Sequence, residues 1–259
     1  MHSIPAGMNP HSALRLISYN VHKGIGGLDR LCQLDRVCRV IEHENPDLYC
    51  LQEVTRHSRR SHYQDQPKIF AERFQTLDST YQMNVHYQVG GYGNLILSRW
   101  PIRSRHHISL RLGQKKPRGA QLVTVETPQG SLHLINFHLG LTQHERHWQI
   151  RHLLNHPLFR ESTHLPTLMV GDCNDWRDRL GELFSERGYQ AATTGEKRFN
   201  SFPAFHPLMA LDKAFHCQNI QIKHSRVVRS RLAHRASDHL PLVIDFDLRT
   251  PQSSAEQKT

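Results

Sequence analysis

Apolar and polar positions along this chain follow two periods, and the switches between them mark its elements. Residues 14–21 have β-like character and end on Asn20, after which Gly24-Ile25-Gly26-Gly27 breaks the strand and predicts a flexible turn. From Asp29 the period becomes helical. Leu31, Leu34, Cys38 and Ile41 fall on one face, Asp29 stands as N-cap, and Asn45-Pro46 stops the run. Residues 47–54 are apolar enough for a buried strand, yet carry Glu53 at the end. A charged loop over 55–67 precedes a helix marked by Phe70, Phe74 and Leu77. Short strands follow at 85–89 and 94–98, the second introduced by Gly90-Gly91-Tyr92-Gly93 and closed by Trp100-Pro101. Beyond a basic loop at 114–119, a hairpin pairs 121–126 with 132–137 through Pro128-Gln129-Gly130, and its second arm ends on His138. A helix over 144–156 turns Trp148, Ile150, Leu153 and Leu154 inward. Pro166 opens a strand at 167–170 that runs into Gly171-Asp172-Cys173-Asn174. A helix over 178–187 stops at Gly188, and strands are expected around 211–216, 220–223 and 241–248. No linker divides the chain. The expected organisation is a flexible N-terminus at 1–13, one domain at 14–248 and a disordered polar tail at 249–259, with two packed sheets and helices outside.

The chemistry collects at strand ends: Asn20, Glu53, His138, the pair Asp172 and Asn174, and Asp238-His239 just before the last strand. Glu53 and Asp172 follow apolar residues, where an unpaired carboxylate costs several kcal/mol. A cationic side chain, backbone donors or a metal must compensate each; for Asp172 a turn or helix cap is the competing role. In Gly171-Asp172-Cys173-Asn174 the glycine permits a tight turn, and side chains two residues apart on an extended segment point to the same side. Such a pair suits gripping a water molecule against a substrate. Asp238-His239 can offer a cation one group and a substrate oxygen the other.

Composition narrows the partners. The chain has 259 residues and a formal charge of +10, which favours nucleic acid, an anionic membrane surface or a phosphorylated small molecule, against the alternative of a solubilising surface. The five cysteines form no C-x-x-C, and Cys50 and Cys173 lie in apolar runs, as buried thiols of a reducing compartment do. No signal peptide and no run of membrane-spanning length is evident, so a cytoplasmic protein is expected, peripheral at the inner membrane surface as the alternative. His144, His147, His152 and His156 recur at helical spacing, but no Cys, Asp or Glu completes a zinc set.

The motifs in order are Ser18-Tyr19-Asn20-Val21, Leu51-Gln52-Glu53-Val54, Gly93-Asn94 with Leu97-Ser98-Arg99, Asn136-Phe137-His138-Leu139, Gly171-Asp172-Cys173-Asn174, Leu211-Asp212 and Ser237-Asp238-His239-Leu240-Pro241. From about residue 14 to 248 this resembles the endonuclease/exonuclease/phosphatase (DNase I-like) superfamily, its small bacterial members in particular. Residues 198–207 look like the Thr-Phe-Pro segment that those members carry before the catalytic aspartate. The resemblance implies a four-layer α/β sandwich of two packed mixed sheets flanked by helices, with the active site at one edge. It implies Glu53 as main Mg²⁺ ligand with Asp238 and Asn20, and Asp172 as the base that orients or deprotonates water. Asn174 would hold a phosphate oxygen, and His239, steered by Asp212, would donate to the non-bridging oxygen with His138 opposite. Arg118 resembles a phosphate-contacting arginine or is a solvated loop charge; Asn94 binds substrate phosphate or steadies the glycine turn. Some members carry an acid where His22 stands, so one or two ions remain open, with Mn²⁺ able to replace Mg²⁺. The implied activity is a Mg²⁺-dependent, nuclease-like phosphodiesterase. The alternatives are a sphingomyelinase-like phospholipid phosphodiesterase, a sugar or inositol phosphate phosphatase, and a catalytically silent binder of nucleic acid or membrane. A monomer is expected.

Overall fold

A computed structural model describes residues 13–193 and 196–249. The flexible N-terminus and the tail expected from the sequence therefore lie, Ala13 and Arg249 apart, outside the described residues. The chain runs β1 (Leu14–Asn20), α1 (Leu34–Glu44), β2 (Leu48–Arg56), α2 (Gln66–Arg73), β3 (Asp78–His86), β4 (Gly91–Ser98), β5 (Ile102–Ser109), β6 (Gly119–Thr127), β7 (Gly130–His138), α3 (Gln143–Asn155), α4 (Pro157–Arg160), β8 (Thr167–Asp172), α5 (Leu180–Ser185), β9 (Gln190–Ala191), β10 (Asp212–His216), β11 (Ile220–Val227), α6 (Ala233–Ala236) and β12 (Leu242–Leu248). Two six-stranded sheets result, ordered β11-β12-β1-β2-β4-β3 and β5-β6-β7-β8-β10-β9. Both are mixed: β1–β2 and β7–β8 are parallel and the other pairs antiparallel.

Helix α1 forms because Leu34, Val37, Cys38 and Ile41 repeat at helical spacing and all are buried. It begins later than its apolar pattern suggests. Asp29 is not its cap: the carboxylate accepts Leu31 N–H at 3.1 Å and pairs with Arg36, and Leu31 stays 51% exposed. Asn45 ends the helix in the left-handed conformation, φ 48°, as short polar side chains tolerate. In α2, Asp65 caps Lys68 N–H at 3.3 Å, and the helix stops before Leu77, which is exposed. Strand β5 and the first half of β3 are absent from the apolar pattern because each is polar on one face. In β5 only Ile102 and Ile108 are fully buried, while Arg103 and Arg105 point outward from a sheet edge.

The sandwich core includes Leu16, Leu51, Leu97, Leu134, Val170 and Ile244; a second cluster under the α3 side includes Phe137, Ile150, Phe184 and Phe215. Between the sheets runs a buried polar bridge. Gln52 Nε2 donates to Asn136 Oδ1 at 2.8 Å, and Asn136 Nδ2 lies 3.1 Å from Leu51 O and 3.2 Å from both Leu95 O and Gln121 Oε1. A buried network of this kind ties one sheet to the other, and so aligns their ends.

His133 on β7 is buried, with Nδ1 3.3 Å from Thr167 Oγ1, and burial pushes its pKa down to about 4. An unfolded histidine titrates near ~6.5, so below that pH the unfolded chain takes a proton the folded one refuses. Stability falls as pH drops from about 6.5 through 4, by about 2.5 kcal/mol between pH 7 and about 4.5. Urea unfolding at both pH values should show that extra acid loss in wild type and not in His133→Leu; equal losses would refute it.

Candidate active site

Topology alone brings the polar strand ends to one edge. Because β1 and β2 are parallel, the end of β1 at Asn20 pairs with Gln52 and lies beside Glu53, and β12, antiparallel to β1, begins there just after Asp238-His239. In the second sheet, parallel β7 and β8 set His138 beside Asp172, while antiparallel β10 sets Asp212 opposite Asp172. Across the sandwich Asn20 Nδ2 donates to Asp172 Oδ2 at 3.0 Å, joining the two sheets at the site.

Asp172 is the centre. Its Oδ2 also faces His138 Nε2 at 3.2 Å and His239 Nε2 at 3.6 Å, and its Oδ1 accepts Asn174 N–H at 2.9 Å. Burial would favour the neutral acid, but His239, His138 and Asn20 outweigh it and hold the carboxyl below the usual carboxylate range. Gly171 makes the approach possible: its φ is +153°, and a Cβ there would overlap Phe137 O.

His239 is 5% exposed, with Nδ1 2.9 Å from Asp212 Oδ2. Ser201 Oγ donates to the same Asp212 oxygen at 2.6 Å. Burial opposes a charge on His239, yet Asp212 and Asp172 together raise its pKa to about 10, so the ring is an imidazolium at neutral pH. His138 is the opposite case. Burial, then Arg118, push its pKa down. Arg118 Nη1 lies 3.1 Å from His138 Nδ1. A guanidinium only donates, so Nδ1 accepts and the proton sits on Nε2, facing Asp172. One neutral and one charged imidazole thus bracket a single carboxylate.

Glu53 lies in a β-bulge, where Gln52 and Glu53 together oppose Asn94 of β4, and it takes φ 56°. The bulge turns its carboxylate toward the site. Burial alone would raise its pKa, but Lys23, in direct contact with Glu53 Oε2, and His138 hold it at about 2. His22 and Lys23 are both left-handed (φ 43° and 64°), and Gln66 Nε2 fixes the Lys23 carbonyl at 2.8 Å. Asp238, whose side chain is 29% exposed, faces His22 Nδ1 at 3.6 Å, and Gly27 packs against it so closely that a Cβ would come 2.7 Å from Asp238 Cα. The glycine run is thus a close-approach loop rather than the flexible turn its composition suggests. Among the described residues no three His, Cys, Asp or Glu side chains gather as a ready-made metal cage. The donors nevertheless suit a hard cation: Glu53 is a buried, ionised carboxylate whose Oε2 now meets the Lys23 ammonium, and Asp238 is a carboxylate at the rim.

Arg118 is buried rather than a solvated loop charge, and its Nε has no partner among the described residues. Asn94 donates to Gly119 O at 2.9 Å, one strand from His138, and leaves its buried Oδ1 unpartnered. Asn174 (φ 49°) spends one amide hydrogen on Leu139 O at 3.0 Å. Sequence reasoning missed Lys23, hidden in a glycine-rich run. It also missed Ser201 and Ser237; Ser237 ties Asn20 O (2.7 Å) to the His239 amide (3.3 Å).

The sequence model of the Endonuclease/Exonuclease/phosphatase family matches residues 17–239. The chain is 26% identical over 254 residues to the uncharacterised protein YbhP of Escherichia coli strain K12, covering 91% of this chain and 97% of that one. The fold is similar to that of an endonuclease/exonuclease/phosphatase from Beutenbergia cavernae (TM-score 0.74, 21% identity, 92% of this chain and 72% of that one). It is also similar to ANGEL2, a 2′,3′-cyclic phosphatase solved with adenosine-2′,3′-vanadate (TM-score 0.72, 13% identity, 92% and 96%). With two mixed six-stranded sheets flanked by helices and the family's motifs at one edge of them, this chain belongs to the endonuclease/exonuclease/phosphatase family of phosphoester hydrolases.

Proposed function

We propose that the protein is a divalent-cation-dependent phosphodiesterase, Mg²⁺ being the expected ion and Mn²⁺ a substitute, with nuclease-like activity. The observation that carries this reading is Asp172, a buried ionised carboxylate set between a neutral and a charged imidazole. Asp172 orients a water molecule and takes its proton as the new O–P bond forms in line with the breaking P–O bond; the leaving alkoxide is protonated from solvent. His239, kept cationic and aimed by Asp212, donates to a non-bridging oxygen as charge builds there, where a fixed donor helps the transition state more than the ground state. Arg118, held on His138, adds a fixed positive charge on the opposite side, and Asn174 and Asn94 offer amide groups to phosphate oxygens. Glu53, with Asp238 and Asn20, would hold the cation. When bound, it supplies Lewis-acid neutralisation of the phosphoryl charge, and the family's members generally use divalent metals.

The test is an assay of purified protein with Mg²⁺, with and without EDTA, against plasmid, single-stranded DNA, RNA, bis-p-nitrophenyl phosphate, sphingomyelin, cardiolipin and sugar phosphates. EDTA-sensitive cleavage of nucleic acid and of the small diester is expected. Release of inorganic phosphate from monoesters alone, or hydrolysis confined to lipids, would replace this reading.

A further inference from the structure

A groove of about 530 Å³ opens beside the site between two loops far apart in sequence. One wall is the turn after β2, carrying Arg59, Arg60 and Tyr63; the other is the β3–β4 hairpin tip, carrying Tyr87, Gln88 and Val89. We infer that this groove is a subsite for a nucleotide flanking the scissile phosphate of single-stranded nucleic acid, with the base stacked on tyrosine and its phosphate held by arginine. The inference rests on the phosphodiesterase reading and deepens it.

Four observations carry it. First, the lining is the chemistry of an unpaired nucleotide. Two arginines without a carboxylate partner among the described residues face two phenol rings, and no acid lines the groove. Tyr63 and Tyr87 remain 56% and 40% exposed, which leaves ring surface free for stacking. Second, the walls are built. Thr55 Oγ1 donates to Ser61 Oγ at 2.7 Å and Ser61 Oγ to Ser58 O at 3.1 Å, while His57, His62 and Tyr63 all take left-handed backbone. Gly90 docks the hairpin tip directly onto the backbone of Arg56 and His57, leaving no room for a side chain. Third, packed side chains connect the groove wall to the active site. Tyr87 packs on Tyr92 at 5.8 Å, and the Tyr92 ring lies 4.6 Å from Lys23 Nζ, which touches Glu53. Fourth, Lys116 Nζ lies 5.4 Å from the same Tyr92 ring, so positive charge lines the way from groove to scissile site. A membrane-docking surface would instead present a convex apolar tip with basic residues around it; this one is concave, and its rings are phenols.

The test compares two substrates under Mg²⁺: a single-stranded oligothymidylate of about ten nucleotides and bis-p-nitrophenyl phosphate, too small to span the groove. In Tyr87→Ala and in the Arg59→Ala/Arg60→Ala double variant, the ratio of kcat/KM for oligonucleotide to that for the small diester should fall on the order of 10-fold or more, chiefly through KM. Tyr87→Phe should retain most of the ratio, because stacking does not need the hydroxyl. Equal losses on both substrates would overturn the subsite, as would an unchanged ratio with reduced binding to phosphatidylglycerol vesicles. Wild-type protein inert toward every phosphodiester would instead sink the underlying reading, and the subsite with it.

Discussion

Asp172→Asn is expected to lower kcat on bis-p-nitrophenyl phosphate by at least about 10³-fold while moving KM little. The side chains are nearly the same size, so the loss reports chemistry rather than packing. In wild type, Asp172 Oδ2 receives hydrogen from Asn20 and faces both His138 and His239, while Oδ1 receives the Asn174 amide. An amide can accept at one oxygen only, and its NH₂ would oppose one of these donors. On the proposed mechanism the variant loses the acceptor that would aim the water, and it loses one of the two carboxylates that raise the His239 pKa. The pH profile is the check on that second effect. In wild type the limb set by His239 is expected well above the ordinary imidazole value, because Asp212 and Asp172 raise its pKa. Without Asp172 it should move to lower pH, because the imidazolium then has Asp212 as its close partner. A variant with unchanged kcat, or one impaired only in KM, would place the chemistry elsewhere.

Glu53→Gln is expected to remove the response to divalent cations. A positioned cation supplies several kcal/mol of charge stabilisation to phosphoryl transfer, so turnover should fall about 10³-fold at fixed Mg²⁺. A readout independent of turnover comes from linkage. A ligand at about 100 times its Kd stabilises the folded state by about 2.7 kcal/mol. Mg²⁺ or Mn²⁺ should therefore raise the Tm of wild type and leave that of Glu53→Gln unmoved. The variant should also be less stable without metal, since Lys23 is 6% exposed and would lose the carboxylate it now touches. Equal metal-induced Tm shifts in the two proteins would remove Glu53 from the ion site.

The parts of this architecture legible in the sequence are those where burial and chemistry disagree. Glu53 and Asp172 stand out because each is an acid at the end of an apolar run, and a strand that buries both faces leaves such an acid few roles. Strand β5 and the start of β3 were illegible because an edge strand needs few apolar residues. Leu31 and Leu77 misled in the other direction: both fit a helical period, yet both lie exposed outside the helices, since period says nothing about where a cap will form. Arg118 could be read as a loop charge because nothing local reveals that it folds onto His138. Lys23 was masked by the glycines around it, although its left-handed backbone is what brings the ammonium to Glu53. The Arg–Tyr groove was least legible of all, because its walls come from two separate loops and neither resembles a nucleic-acid motif alone.

One double-mutant cycle reaches the heart of the account, which holds that groups from both sheets act on the same phosphorus atom. Asp172→Asn, His239→Ala and the two combined would be assayed for kcat on bis-p-nitrophenyl phosphate, with folding checked by circular dichroism. The imidazole and carboxylate that meet at 3.6 Å should fail as a unit, leaving the double variant within a few-fold of the worse single one. Losses that multiply, or single variants as active as wild type, would contradict it.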